Sequence, residues 1–129
     1  MEQKKKENEK SPHYQLGQKG EEMAVIYLKQ NGYDIKERNW RFGKLEVDII
    51  AQKGNILSIV EVKTRTGDYF GEPEEGVTRA KERFLATAAD HYIISKNLDV
   101  EVRYDIISIV MHQGRHELKM IEDAFYPYM

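Results

Sequence analysis

Leu45-Glu46-Val47-Asp48-Ile49-Ile50-Ala51, then Gln52-Lys53-Gly54-Asn55, then Ile56-Leu57-Ser58-Ile59-Val60-Glu61-Val62-Lys63-Thr64-Arg65 is the stretch that decides the fold. Two β-branched, half-alternating runs flank a four-residue turn signal, which is the pattern of a β-hairpin. Side chains alternate across a strand, so parity assigns each residue to a face. Glu46, Asp48 and Ile50 share one face of the first run; Leu45, Val47, Ile49 and Ala51 share the other. On the second run Leu57, Ile59, Glu61, Lys63 and Arg65 lie opposite Val60, Val62 and Thr64. If Lys53-Gly54 forms a two-residue turn, Ala51 pairs with Ile56. Glu46 then stands across from Glu61, and Asp48 stands across from Ile59, diagonal to Glu61.

Three carboxylates and Lys63 thus fall in one patch. Like charges directly opposite on a sheet destabilise it, so the patch calls for something positive. Clustered carboxylate oxygens suit Mg²⁺ or Mn²⁺, which prefer hard oxygen donors. Such an ion lowers the pKa of water and stabilises charge building on a phosphate, and Lys63 on the same face would orient that water or offset transition-state charge. A solvent-facing polar ladder with ordinary Glu–Lys pairing fits the same pattern.

Outward from the hairpin, Gly17, Gly20, Glu21, Ala24, Val25 and Leu28 follow the i, i+3, i+4 spacing of a helix face running from Leu16 to Asn31-Gly32. Glu21 lies on the apolar stripe, where a carboxylate needs a partner, although an acid in an early turn also complements the helix dipole. Gly17 and Gly20 would let this end approach the sheet closely. Taken with the hairpin patch, Glu21 reads as a further ligand for a metal or a water. Tyr33–Trp40 reads as a strand, Thr66–Glu75 as a loop, Gly76–Lys96 as a helix with Val77, Ala80, Phe84, Ala88 and Tyr92 on one face, and Glu101–Met111 as a strand. A turn at Gln113-Gly114 precedes a last strand or short helix toward Phe125. Residues 1–13 read as a disordered charged tail, and residues 14–129 as one α/β domain.

The composition narrows the function. A chain of 129 residues with 40% hydrophobic and 33% charged residues suits one domain with a solvated surface. No apolar run nears the ~20 residues that span a bilayer, and the charged N-terminus does not read as a secretory signal. Without cysteine there is no disulfide framework, thiolate site or cysteine nucleophile; the cytoplasm is the expected location. Net charge is −2, and residues 14–129 carry 16 basic against 19 acidic side chains. Tight, indiscriminate nucleic-acid binding normally needs a basic domain, so DNA would be held through a local, salt-sensitive basic patch.

The basic candidates for that patch are Arg38, Arg41, Lys44, Arg65, Arg79, Lys81 and Arg83. Arg65 continues the Glu61/Lys63 face, and Lys81 sits one turn after Val77. Trp40 at a strand end reads as core rather than a base-stacking ring. His112 and His116 have the i, i+4 spacing of a helical zinc pair, but Gly114 between them makes a turn, and zinc is rejected. Arg103 and Asp105 share a strand face and read as an ion pair bracing the sheet. Phe42, Tyr69 and Phe70 flank the patch as lining or lid.

Gly17-x-x-Gly20-Glu21-x-x-Ala24-x-x-Tyr27-Leu28, Asn39-Trp40-Arg41, Glu46-Val47-Asp48-Ile49-Ile50-Ala51 and Val60-Glu61-Val62-Lys63-Thr64-Arg65, followed by Phe70-Gly71, Lys81, Arg103-Tyr104-Asp105 and Ala124-Phe125, resemble the YraN family (UPF0102). The Asp…Glu-x-Lys part resembles the PD-(D/E)xK nuclease core, and the family is similar to archaeal Holliday-junction resolvases. The resemblance implies a restriction-endonuclease-like three-layer α/β domain, with a mixed four- or five-stranded sheet flanked by helices. It implies that Asp48 and Glu61 bind Mg²⁺ (or Mn²⁺) with the Val62 carbonyl, that Lys63 assists the attacking water, and that Glu21 matches the resolvase-like acid of the first helix. Arg41, Arg65 and Lys81 become the expected DNA contacts. Leu45 stands where the family usually has glycine, and its parity reads as an extension of the core. The implied activity is metal-dependent hydrolysis of phosphodiester bonds in branched or structured DNA, with a homodimer fitting a two-fold junction. The rival reading is a nuclease-like module that binds nucleic acid or protein without cutting.

Overall fold

The computed structural model describes residues 11–67 and 77–127. The first helix, α1, spans Pro12–Gln30. It starts earlier than the apolar stripe suggests because Ser11 caps it, accepting a hydrogen bond from the Tyr14 amide at 3.0 Å, and a proline stands in its first turn. Pro12 and His13, read as tail, are therefore helical. Its buried face is Gly20, Ala24, Val25 and Leu28. Strands β1 (Asp34–Phe42), β2 (Leu45–Lys53) and β3 (Ile56–Thr66) follow, then helix α2 (Arg79–Lys96), β4 (Glu101–His112) and β5 (Arg115–Ile121). The last element is thus a strand. Tyr69 and Phe70, with most of the loop read over Thr66–Glu75, lie outside the described residues.

The five strands stand in the order β1-β2-β3-β4-β5. All neighbours are antiparallel except β3 and β4, which run parallel and are joined through α2. This mixed sheet carries a helix on each face. α1 covers Ile49, Ala51, Val60, Ile107 and Ile109 with Ala24, Val25 and Leu28. α2 covers Val47, Ile50, Leu57, Ile59, Tyr104 and Ile106 with Leu85, Ala88, Ala89 and Tyr92. Ala80, expected on that stripe, is exposed. The three-layer α/β architecture follows from two apolar helix stripes and a central strand pair buried on both sides.

The β2–β3 register differs from the expected one by two residues. Lys53 pairs with Ile56, so the loop is Gly54-Asn55; a glycine-first loop with Gly54 at φ 59° suits a tight hairpin. A two-residue shift keeps every side chain on its face, but it brings Asp48 rather than Glu46 level with Glu61. On β4, level with Val60, Asp105 is fully buried, with Arg103 Nε 2.9 Å from both its carboxylate oxygens. Ser58 donates to the same carboxylate, and the Asp123 amide does so at 3.0 Å. This network pins the segment after β5 onto β4, the bracing role expected of the pair. Among the described residues no helix is long and apolar enough to cross a membrane.

Candidate active site

The site begins with a phase break in the β1–β2 ribbon. Arg38 turns to the α1 side, where it pairs with Glu22 at 2.8 Å, while Trp40 turns to the α2 side and packs on Tyr92 with ring centroids 5.3 Å apart. Between them Asn39 sits at φ 49°, in the left-handed region, and its side chain also faces α1. The paired strand changes phase at the same step, since Ile49 packs under α1 whereas Val47 and Ile50 pack under α2. This is a correction to simple parity, which put Val47 with Ile49. Leu45, read as core, is 47% exposed.

Pairing between β2 and β3 ends at Ile49 and Val60. Asp48, the next residue, reaches across with its side chain, and Oδ2 accepts a hydrogen bond from the Val62 amide at 2.8 Å. Glu61 lies beside it, 4% exposed. Two ammonium groups face Glu61: Lys63 Nζ stands 3.8 Å from Oε2, and Lys81 Nζ, from the first turn of α2, stands 3.6 Å from Oε1. Lys81 is placed there because Thr78 caps α2 by accepting from the Lys81 amide at 3.1 Å. Burial and the neighbouring Asp48 push the Glu61 carboxyl up to about 7, against the pull of the two lysines. Burial raises Asp48 as well, although the Val62 amide and both lysines oppose the rise. A buried and a half-buried carboxylate therefore share a place where a single proton, or a cation, relieves their repulsion.

Glu21 approaches from the α1 side. Asn39 Nδ2 donates to its Oε1 and Oε2 at 3.1 and 3.0 Å. Burial, aided by the charge of Asp48, lifts the Glu21 pKa, and the Asn39 hydrogen bond lowers it. Gly20 makes the approach of α1 possible: a Cβ there would lie 1.9 Å from Thr64 Oγ1. Gly17 does not share this duty, having nothing within 4 Å of its would-be Cβ. It opens instead onto a cleft of about 820 Å³ lined by Tyr14, Gln18, Glu21, Asn39, Arg41 and Glu46, among others.

The three-carboxylate patch expected from the sequence does not form. Glu46 turns to Arg41, 2.9 Å away across the hairpin. Arg41, expected as a DNA contact, is thereby ion-paired at the cleft rim, Arg65 is half-buried farther along β3, and Lys81 belongs to the carboxylate cluster. Among the described residues no group of three or more His, Asp or Glu side chains is placed to hold a metal ion, which includes His112 and His116 at the β4–β5 turn. Asp48 and Glu61 nevertheless fit a hard cation. Mg²⁺ is commonly held by one or two carboxylates with water completing the shell. Glu61 Oε1 is a buried oxygen with no hydrogen-bond partner among the described residues, and such an atom is costly unless something joins it. Trp40 stacks with Phe42 and His91 and is core, as expected.

Asn39 joins the site without being among the residues expected there from the sequence. Its signal was an asparagine inside a β pattern, a residue poor in strands and rich in left-handed backbone.

A family model described as "Uncharacterised protein family UPF0102" matches residues 20–109. The chain is 47% identical over 116 residues to a UPF0102 protein of Flavobacterium psychrophilum, covering 90% of this chain and 98% of that one. It is 47% identical over 115 residues to a UPF0102 protein of Bacteroides thetaiotaomicron, covering 89% and 95% respectively. With a UPF0102 protein of Christiangramia forsetii it shares 46% identity over 114 residues, 88% of this chain and 96% of the other.

Proposed function

We propose, from the premise that the chain belongs to protein family UPF0102, that it is a Mg²⁺- or Mn²⁺-dependent endonuclease acting on branched or structured DNA. The observation that carries this reading is the buried Oε1 of Glu61 beside Asp48, which accepts no hydrogen bond among the described residues and has only the Lys81 ammonium, 3.6 Å away, as an ionic neighbour. Asp48 and Glu61 would hold the cation, with the Val62 carbonyl as a further oxygen. A bound divalent cation supplies Lewis-acid stabilisation of phosphate charge and eases deprotonation of a water nucleophile.

The protein's own groups do the rest. Lys63 lies within 3.8 Å of Glu61 on the same strand face, where it orients the attacking water. Lys81 offers a second ammonium, fixed by a capped helix, to offset charge on the phosphate. Glu21, held by Asn39 in the lining of the cleft, accepts a hydrogen bond from water or substrate. Arg41 and Arg65 contact flanking phosphates, so binding weakens as salt rises. A four-way junction offers two equivalent strands, and a homodimer would cut both.

A second reading has its own support. Lys63 and Lys81 already balance the two carboxylates, as they would in a nuclease-like module that binds without cutting. End-labelled four-way-junction, flap and linear DNA separate the two. The enzyme reading expects products with Mg²⁺ or Mn²⁺, none with EDTA, and none from Asp48→Ala, which still retards the DNA. Retardation indifferent to metal, with no products from either protein, would favour the binding module.

A further inference from the structure

Asn39 combines three features. Its backbone is left-handed inside a strand, at φ 49°. It stands at the step where both strands of the β1–β2 ribbon change phase, opposite Asp48, since Arg38 pairs with Ile49 and Trp40 with Val47. Its amide nitrogen reaches both oxygens of Glu21, eighteen residues earlier on another element. Left-handed backbone at a non-glycine residue is uncommon, and it persists where the surroundings over-determine it, often at functional sites.

The conformation has a direct geometric effect. A regular strand would send residues 38 and 39 to opposite faces. Here Arg38 and Asn39 both address α1, by their bonds to Glu22 and Glu21. The phase break therefore delivers an amide donor to Glu21 at the level of Asp48. Arg41 is engaged by Glu46, and Arg38 by Glu22, so Asn39 is the group that meets the Glu21 carboxylate.

We propose that Asn39 is a positioning residue: its left-handed backbone and side-chain amide clamp the Glu21 carboxylate in one orientation toward the Asp48–Glu61 site. The inference rests on the nuclease reading for its consequence in catalysis, and on the geometry alone for the clamp. The clamp fixes both carboxylate oxygens from one side and leaves their remaining lone pairs for a ligand. Loss of the donor would let the side chain rotate into the cleft. Misplacement of a reacting group by about 1 Å costs on the order of 10²-fold in rate.

Two variants test this in the full chain. Asn39→Gly keeps the left-handed backbone and removes the amide; Asn39→Asp keeps the shape and much of the backbone preference but replaces the donor with a carboxylate that repels Glu21. Carboxyl ¹³C resonances of Glu21 and Asp48 are recorded without metal or DNA, alongside urea unfolding and junction-cleavage kinetics in Mg²⁺. In both variants the clamp predicts a displaced Glu21 resonance, and in Asn39→Gly an Asp48 resonance close to its wild-type position. It also predicts a kcat lower by about 10²-fold at unchanged KM. A Glu21 resonance that stays in place in both variants overturns the clamp. Displaced resonances with unchanged kcat overturn its catalytic role. A wild-type protein that cuts no DNA overturns the nuclease reading instead, and the Glu21 resonance then decides the clamp by itself.

Discussion

Replacing Glu61 by glutamine isolates the cost of charge in the cluster. The ordinary carboxyl value near 4.5 is raised to about 7 in the folded protein, first by burial and then by Asp48. Between those values the folded chain binds a proton that the unfolded chain has released, so stability falls as pH rises through the window. The stabilising contribution of the protonated form is complete below about pH 4.5 and gone above about pH 7. At about 1.4 kcal/mol per pH unit, the difference amounts to about 3 kcal/mol. Glutamine mimics the protonated form at every pH. Wild type and Glu61→Gln should therefore unfold at similar urea concentrations near pH 4.5. Near pH 8.5 in EDTA, the variant should be more stable by up to about 3 kcal/mol. Parallel stability curves across the range would show that Glu61 is not held at an elevated pKa and would refute the argument.

Other expectations follow from the same geometry. Mg²⁺ at 100 times its dissociation constant should stabilise the wild type by about 2.7 kcal/mol, a gain absent from Asp48→Asn in the same thermal melts. Gly20→Ala, whose Cβ would meet Thr64 Oγ1 at 1.9 Å and Thr64 Cβ at 3.0 Å, should lose about 1–3 kcal/mol in urea unfolding. Gly17→Ala meets nothing within 4 Å and should gain up to about 1 kcal/mol from helix propensity; equal effects at the two glycines would remove the close-approach argument. Arg103→Leu leaves the buried Asp105 without the Nε–H that its two carboxylate oxygens share and should cost about 3–5 kcal/mol; a loss below about 1 kcal/mol would mean that the network does not brace the sheet.

Much of this molecule can be read from residue order, because its strands and helix stripes are strongly patterned. The hairpin, both helices, the β4 strand and the partnership of Asp48, Glu61 and Lys63 follow from apolar periodicity and from Asp…Glu-x-Lys on two facing strands. Details set by single backbone angles were less legible. Lys53-Gly54 and Gly54-Asn55 are both plausible turns, and the choice shifts Glu46 out of the cluster and Asp48 into register with Glu61. Parity cannot anticipate the phase break at Asn39, which moves Val47 to the α2 side. The early start of α1 was signalled by Ser11-Pro12, a cap followed by a first-turn proline, but the surrounding charge run masked it. The role of Lys81 depended on where α2 begins, which its Thr78 cap sets.

Single-turnover cleavage of a four-way junction by wild type and Glu61→Gln above pH 7 in Mg²⁺ tests the proposed metal site most directly. The variant keeps the shape of the side chain and is expected to be the more stable protein without metal, so unfolding would not explain a loss of activity. Mg²⁺-dependent cutting is expected from the wild type and none from the variant. Equal cutting by the two proteins would contradict the proposed metal site.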